Sequence, residues 1–141
     1  MTIADNAKPF EWPIRVYYED TDAQGVVYYA NYFRFMERAR TEWLRALGVD
    51  QVAMMEQEHR FFVVTDTRAE FIAPARFNDQ IIVTAGLAEL TRATFSIEQN
   101  IYLDSPERQL LLRSRVRVAY LNADTMRPVR MPASIFEETK L

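Results

Sequence analysis

The chain has 141 residues and a mass of 16.6 kDa, which is room for one ordinary domain and not for two. Apolar residues make up 49%, nine Phe, seven Tyr and two Trp among them, so a real core can form, while a net charge of −3 lacks the basic excess expected of a nucleic-acid binder. The absence of Cys excludes disulfides, thiolate metal sites and a Cys nucleophile, and the single His, His59, excludes a multi-His metal centre within one chain.

Residues 1–13 are polar, carry Pro9 and Pro13, and read as a loose arm. They lack the basic start and apolar stretch of a secretory leader. No apolar run approaches the ~18 residues of a membrane span, so no membrane insertion and a cytoplasmic location are expected. Ile14 to Tyr18 is β-branched and aromatic and predicts a strand. A polar turn, Glu19 to Gly25, leads through Val26-Val27-Tyr28-Tyr29 into the clearest helix of the chain. There Tyr32, Met36, Ala39, Trp43 and Ala46/Leu47 recur at helical spacing and form one apolar stripe. Gly48 sits where a glycine cap belongs, so the helix is expected over about residues 30–47. A short second helical piece is expected over 50–57.

From His59 onward the period becomes two, predicting strands near 60–72, 79–90, 93–103 and 109–122. Phe95, Ile97 and Ile101 alternate with Ser96, Glu98, Asn100 and Tyr102; Arg113, Arg115 and Arg117 alternate with Ser114, Val116 and Val118. Pro128 and Pro132 close the pattern and begin an irregular tail. One long helix followed by antiparallel strands is an α+β order in which a single sheet can wrap a helix. The expected division is an arm over 1–13, one domain over 14–136 and a tail over 137–141. A curled sheet around one helix leaves an edge and an apolar flank uncovered, so oligomerisation is expected.

The segment Tyr-Tyr-Glu-Asp-Thr-Asp-Ala-Gln-Gly-Val-Val-Tyr-Tyr-Ala-Asn-Tyr, residues 17–32, sets three acids at a strand end just before a helix start. A helix start offers free N–H groups and the positive end of the dipole, which suit a carbonyl oxygen that becomes anionic in a transition state. A carboxylate beside it can serve as nucleophile or general base. Three plainer readings compete. Asp20-x-Asp22-x-Gln24-Gly25 imitates the first half of a calcium loop, but position twelve is Asn31 and a strand precedes it. The acids can cap a helix and solvate a turn. The tyrosines can fill a core or an interface.

The run Tyr18-x-Asp20-x-Asp22-x-x-Gly25-Val26-Val27-Tyr28-x-x-x-Tyr32, then Phe35-Met36-Glu37-x-Ala39-Arg40-x-Glu42 and Phe71-x-x-Pro74-Ala75-Arg76-x-x-Asp79, resembles the hotdog-fold thioesterases of the 4-hydroxybenzoyl-CoA thioesterase superfamily. Within it the chain is most similar to the acyl-CoA thioesterases associated with the tol–pal system, over residues 14–136. The resemblance implies a hotdog fold, an antiparallel sheet of about five strands wrapped around a long central helix. It implies Asp22 as the catalytic carboxylate, nucleophile or general base. Gly25 matches the glycine that lets the backbone approach substrate. Tyr29 stands where a backbone N–H polarises the thioester oxygen; several tol–pal-associated relatives carry His there. Tyr18, Val26 and Val27 are expected to line the substrate. The implied assembly is a dimer joined sheet edge to sheet edge, often doubled to a tetramer. Each site is then shared between the Asp22 loop of one chain and the Thr65 to Pro74 region of the other.

Arg92, at a tight turn, and Arg113, Arg115 and Arg117, along one strand face, are candidates for coenzyme A phosphates, because Arg binds phosphate as a fork. Such a stripe is otherwise the solvated side of a sheet, paired with acids such as Glu98. His59 lies outside the motif and reads as a surface or interface residue. There is no Gly-rich phosphate loop and no Gly-x-Ser-x-Gly elbow. The expected function is hydrolysis of a small acyl or aroyl thioester of coenzyme A, or of acyl carrier protein, with no metal or other cofactor. The rival is a noncatalytic acyl-CoA or acyl-carrier binding partner of an envelope or lipid-synthesis complex. A hydratase of this fold usually relies on a site His, and His59 is far from the loop.

Overall fold

Alternation of apolar and polar residues begins earlier than expected: Phe10, Trp12 and Ile14 point one way and Glu11, Pro13 and Arg15 the other, forming β1 over Phe10–Arg15. The expected strand over Ile14 to Tyr18 is thus shifted, and residues 10–13 of the expected arm are sheet. Pro13 is tolerated because β1 is an edge strand, paired on one side only, where a residue can lack an N–H without breaking the ladder. Tyr18–Asp20 turn away as one 3-10 turn. The computed structural model describes residues 8–137. Residues 1–7 of the expected arm and 138–141 of the expected tail lie outside the described residues.

Helix α1 spans Asn31–Ala46 and buries Tyr32, Phe35, Met36, Ala39, Trp43 and Leu44. It ends in a Schellman closure. Gly48 at φ +90° donates to Arg45 O at 3.0 Å, and Val49 N–H donates to Leu44 O at 3.0 Å. Helix α2 covers Gln51–Glu58, capped by the Asp50 carboxylate on Ala53 N–H at 3.0 Å.

Four long antiparallel strands follow: β2 over Arg60–Phe71, β3 over Gln80–Leu90, β4 over Thr94–Leu103 and β5 over Leu110–Asn122. A two-residue strand β6, Arg127–Pro128, pairs with β5. The order across the sheet is β1-β3-β4-β5-β2, which leaves β2 as the second edge. Ile81, Val83, Ala85, Phe95, Ile97, Ile101, Leu112 and Val116 point inward and are fully buried with Phe35 and Met36 of α1. Burial of each Phe is worth ~1.5–3 kcal/mol. At the far end, the expected irregular tail supplies a plug. Phe136, in a 3-10 turn over Ala133–Phe136, stacks on Trp43 at 5.7 Å and meets Phe95 edge-on at 4.8 Å.

A bulge interrupts β2 between Val64 and Asp66. Ahead of it Phe62 and Val64 lie opposite the inward Tyr120 and Val118; beyond it Thr67, Ala69 and Phe71 lie opposite Val116, Ser114 and Leu112. The extra residue, Thr65, moves the inward phase from even to odd positions. Phe71 is thereby aimed at the start of α1, where the motif residues gather.

Candidate active site

The motif loop is a tight hairpin held by its own backbone. Thr21 bridges Val27, Asp22 N–H donates to Val26 O at 2.9 Å, and Tyr28 N–H donates to Asp20 O at 3.0 Å. At the tip, Gly25 N–H closes a turn on Asp22 O at 3.0 Å. Gly25 takes φ +80°, and no atom lies within 4 Å of the point where a Cβ would stand, so conformation rather than crowding calls for glycine there.

The two aspartates of the motif do different work. The Asp20 carboxylate accepts from Tyr17 N–H at 2.8 Å and closes the 3-10 turn, and its carbonyl also takes the Asn31 Nδ2 donor at 3.0 Å. Asp20 therefore ties β1's exit to the first residue of α1. Asp22 is exposed; its Oδ1 accepts from Gln24 N–H at 2.9 Å, an Asx turn, and its Oδ2 has no hydrogen bond among the described residues. One carboxylate oxygen is thus oriented and the other is available.

The start of α1 follows within a few residues. Asn31 N–H donates to Tyr28 O at 2.8 Å and Tyr32 N–H to Tyr29 O at 3.3 Å, while the Tyr29 and Ala30 N–H groups donate to no other described residue. These are the unsatisfied donors of a helix start. Ala30, in the cap position, offers no side chain to consume them.

A second segment is stitched to this start. Val27 N–H donates to Ala75 O at 2.9 Å, Ala75 N–H donates to the buried Tyr32 hydroxyl at 3.0 Å, and Val26 bridges Arg76. Asp79 anchors the same segment: its carboxylate accepts from Arg76 N–H at 2.8 Å and its carbonyl from Val16 N–H at 2.9 Å. A cavity of about 250 Å³ opens between the two, lined by Val27, Tyr29, Tyr32, Phe71, Ile72, Ala73 and Pro74. Its aromatic wall is continuous: Phe71 meets Tyr29 at 6.3 Å, Tyr32 at 5.8 Å and Phe33 at 6.4 Å. Tyr29 is 60% exposed and its ring lies 4.9 Å from that of Tyr28. The Tyr29 side chain, as hydrogen-bond partner, holds the Tyr28 phenol above its ordinary range. Desolvation raises the Tyr32 phenol, so it stays uncharged at neutral pH.

The structure thus brings Asp22, Gly25, Val26, Val27 and Tyr29 into one hairpin and helix start. Phe71 to Pro74 reach Tyr29 within a single chain, so the share of the site expected from a second chain is not needed for this wall. Tyr18 is not part of it. Its ring is exposed, meets Phe77 edge-on at 5.7 Å, and lines a different open groove of about 520 Å³ with Arg15, Tyr17 and Asn78. Arg92 is also remote. Asp79, beside the motif loop, precedes β3, and Arg92 follows it, at the other end of 11 residues or roughly 35 Å of strand. Arg113, Arg115 and Arg117 lie on the outer face of the sheet, away from α1. There Arg113 pairs with Glu70 at 2.7 Å, and Arg115 lies between Arg68 and Glu98 in register. His59 caps α2 in a left-handed conformation, with Nδ1 3.5 Å from Asp124. Among the described residues no three His, Asp or Glu side chains are grouped to hold a metal, and no helix is long and apolar enough to cross a membrane.

Sequence reasoning assigns no individual role at the site to Tyr32, Asn31 or Phe71. The signals are a Tyr on the buried stripe, an Asn at a helix start and an aromatic just before Pro74, but only the fold joins them.

Residues 16–138 match the thioesterase-like superfamily. The chain is 41% identical over 135 residues to the acyl-CoA thioester hydrolase YbgC of Escherichia coli, spanning 96% of this chain and 98% of that protein. It is 38% identical over 126 residues to the acyl-CoA thioesterase YbgC of Haemophilus influenzae, spanning 89% and 90%. A probable thioesterase from Bartonella henselae shares the fold at a TM-score of 0.82 and 33% identity, over 89% of this chain and 100% of that one. A 4-hydroxybenzoyl CoA thioesterase solved with 4-hydroxybenzoyl CoA gives a TM-score of 0.88 over 95% and 100%, at 19% identity, a likeness of fold alone. With α1 wrapped by one curled antiparallel sheet and the motif loop at its head, this chain belongs to the thioesterase-like superfamily and has the hotdog fold.

Proposed function

We propose that Asp22 and the free N–H groups at Tyr29 and Ala30 are the machinery with which this protein hydrolyses acyl-CoA thioesters. The observation that carries the assignment is the hairpin itself. It sets a carboxylate with one oriented and one available oxygen on the same short loop as two unused donors of a helix start. The thioester oxygen accepts from those donors, and charge develops on it as the carbonyl carbon is attacked. The Asp22 carboxylate either attacks that carbon itself or takes a proton from the attacking water. Collapse of the tetrahedral adduct breaks the C–S bond, and the coenzyme A thiolate leaves and takes up a proton. On the direct route water then cleaves the acyl-aspartate anhydride. Both routes give the free acid and the thiol and use the same donors.

The apolar cavity of about 250 Å³ beside Tyr29 fits a small acyl or aroyl group; an apolar cavity of ~150 Å³ already admits benzene. Two chains pair along β2. This 12-residue edge strand carries the inward-facing Val64, 43% exposed, and Phe71, still 49% exposed beside Tyr29, Tyr32 and Phe33, so the chain's own elements cover them only in part. Arg92 reaches the substrate only from such a second chain, since it lies at the far end of β3 from the loop.

Replacement of Asp22 by Asn tests the assignment. Turnover of a short-chain or aromatic acyl-CoA is expected to fall ~100-fold or more, the range for removing an acid–base group, with unchanged unfolding. Turnover near that of the parent overturns it. Sedimentation at assay concentration tests the pairing: a fully active species at the 16.6 kDa of one chain refutes it.

A further inference from the structure

Along β4 the inward positions are Phe95, Ile97, Gln99 and Ile101, and along β5 they are Leu112, Ser114, Val116 and Val118. Gln99 and Ser114 are the polar members, they are direct partners across the two strands, and Gln99 is 0% exposed. An amide at the centre of an apolar core is tolerated only when each of its groups is bonded. Here every group is. Gln99 Nε2 donates to the Met36 carbonyl at 2.9 Å and to the Thr84 carbonyl at 3.4 Å, and Oε1 accepts from Arg40 Nη1 at 3.0 Å. The Gln99 carbonyl accepts from Ser114 Oγ at 2.6 Å.

The sheet is opened to make these bonds. The β3–β4 pairing runs through Val83 with Ile101 and resumes at Gly86 with Glu98. In the gap the Thr84 hydroxyl takes the Asn100 N–H at 2.9 Å. The Thr84 carbonyl is left to turn to Gln99. On the helix side, Met36 O already belongs to the ladder of α1, so Gln99 is a second donor on its other lone pair. Arg40, one turn on, closes a ring back to the same amide. Its guanidinium is largely buried, and burial lowers its pKa against the pull of Glu37.

The first two turns of α1 are therefore fixed at two polar points: Tyr32 on Ala75 at its head, and Met36 on Gln99 one turn further along. We propose that Gln99 is a positioning residue for the oxyanion donors: by holding the Met36 carbonyl and Arg40, it sets the height and rotation of α1 against the sheet, and with it the Tyr29 and Ala30 N–H groups. The inference rests on the assignment of those donors above. A donor displaced by a fraction of an ångström still binds a neutral carbonyl but stabilises a developing oxyanion less well, so the loss falls on kcat rather than KM.

Two variants test it. Gln99→Glu keeps size and an acceptor for the Arg40 guanidinium, but an ionised Glu cannot donate to Met36 O. Gln99→Met combined with Arg40→Met removes both polar partners and leaves no unpaired buried charge. Steady-state kinetics per folded chain, with an acyl-CoA panel, is expected to show kcat down at least about fivefold with KM within about threefold in both. A smaller fall in kcat, a loss confined to KM, or full recovery in Gln99→Glu overturns the inference. Asp22→Asn is assayed alongside. If it retains turnover the site assignment itself fails; if it is inactive while both Gln99 variants turn over normally, only the positioning role fails.

Discussion

Tyr32→Phe isolates the bond that joins α1 to the segment carrying Pro74 and Ala75. The ring is kept, so its contacts with Phe35 at 6.2 Å and Phe71 at 5.8 Å survive. What disappears is the acceptor for Ala75 N–H, in a residue that is wholly buried. A buried donor left without a partner costs about 1–3 kcal/mol. Against this, the parent phenol's own proton has no acceptor among the described residues, and its removal returns part of that figure. The net loss expected is about 1–2 kcal/mol, the lower part of that range. For a chain of this length that is a fall in Tm of roughly 3–8 °C. Urea unfolding gives the free energy directly, and the slope of the transition should not change. Tyr29→Phe, on an exposed ring that accepts no buried donor, is the control and should unfold with the parent. A loss below about 0.5 kcal/mol, within the ordinary range for surface substitutions, would show that Ala75 N–H finds another acceptor and that the bond is not what fixes this segment.

On the proposed assignment of the backbone N–H rather than the hydroxyl as donor, Tyr29→Phe should also keep most of the turnover; a loss as deep as that of Asp22→Asn would bring the hydroxyl into the chemistry. Gly25→Ala should lower stability by about 1–2 kcal/mol, the penalty for a side chain at positive φ, although space for the methyl exists; unfolding midpoints unchanged from the parent would refute this. Burial raises the Tyr32 and Tyr120 phenols above their ordinary 10.0. The unfolded chain then loses these protons first as pH rises, so stability should be level below pH 10 and fall above it, through the folded-state values. Tyr32→Phe should flatten that fall, as seen in urea midpoints taken across pH 10; an unchanged slope would refute the linkage.

The long elements are legible because their periods are clean. The stripe from Tyr32 to Trp43 is the buried face of α1, and the four strands after His59 begin and end within a residue or two of where alternation places them. The misplacement of β1 has a specific cause. Pro13 reads as a break, yet an edge strand is paired on one side only and can hold a residue without an N–H, and the alternation of Phe10, Trp12 and Ile14 runs straight through it. The bulge at Thr65 is hidden for a related reason. Phe62 and Val64 argue for one phase and Ala69 and Phe71 for the other, and an unbroken period of two cannot hold both. The hairpin of the site is readable as a local motif. Arg92 is singled out by its turn chemistry, which says nothing about the end of the sheet at which that turn lies.

Gln99 marks where sequence patterning stops short of a site. Read along β4 alone, it is one polar residue in an apolar phase, and Ser114 is the same in β5. Either could be a tolerated exception. Only the register sets them opposite each other, and only the packing of α1 over that point supplies Met36 O and Arg40 as partners. An all-apolar pair would fill the space and leave the helix free to slide or rotate by small amounts, because apolar contacts are non-directional. A bonded amide has distinct donor and acceptor ends and accepts one placement of the helix. On the proposal that the oxyanion donors are the Tyr29 and Ala30 N–H groups just ahead of that helix, no side-chain rotamer can correct a misplaced helix. Under that proposal directional contacts beneath α1 do what apolar packing cannot, and the Gln99 and Tyr29 variants together separate main-chain position from side-chain chemistry at the mouth of the site.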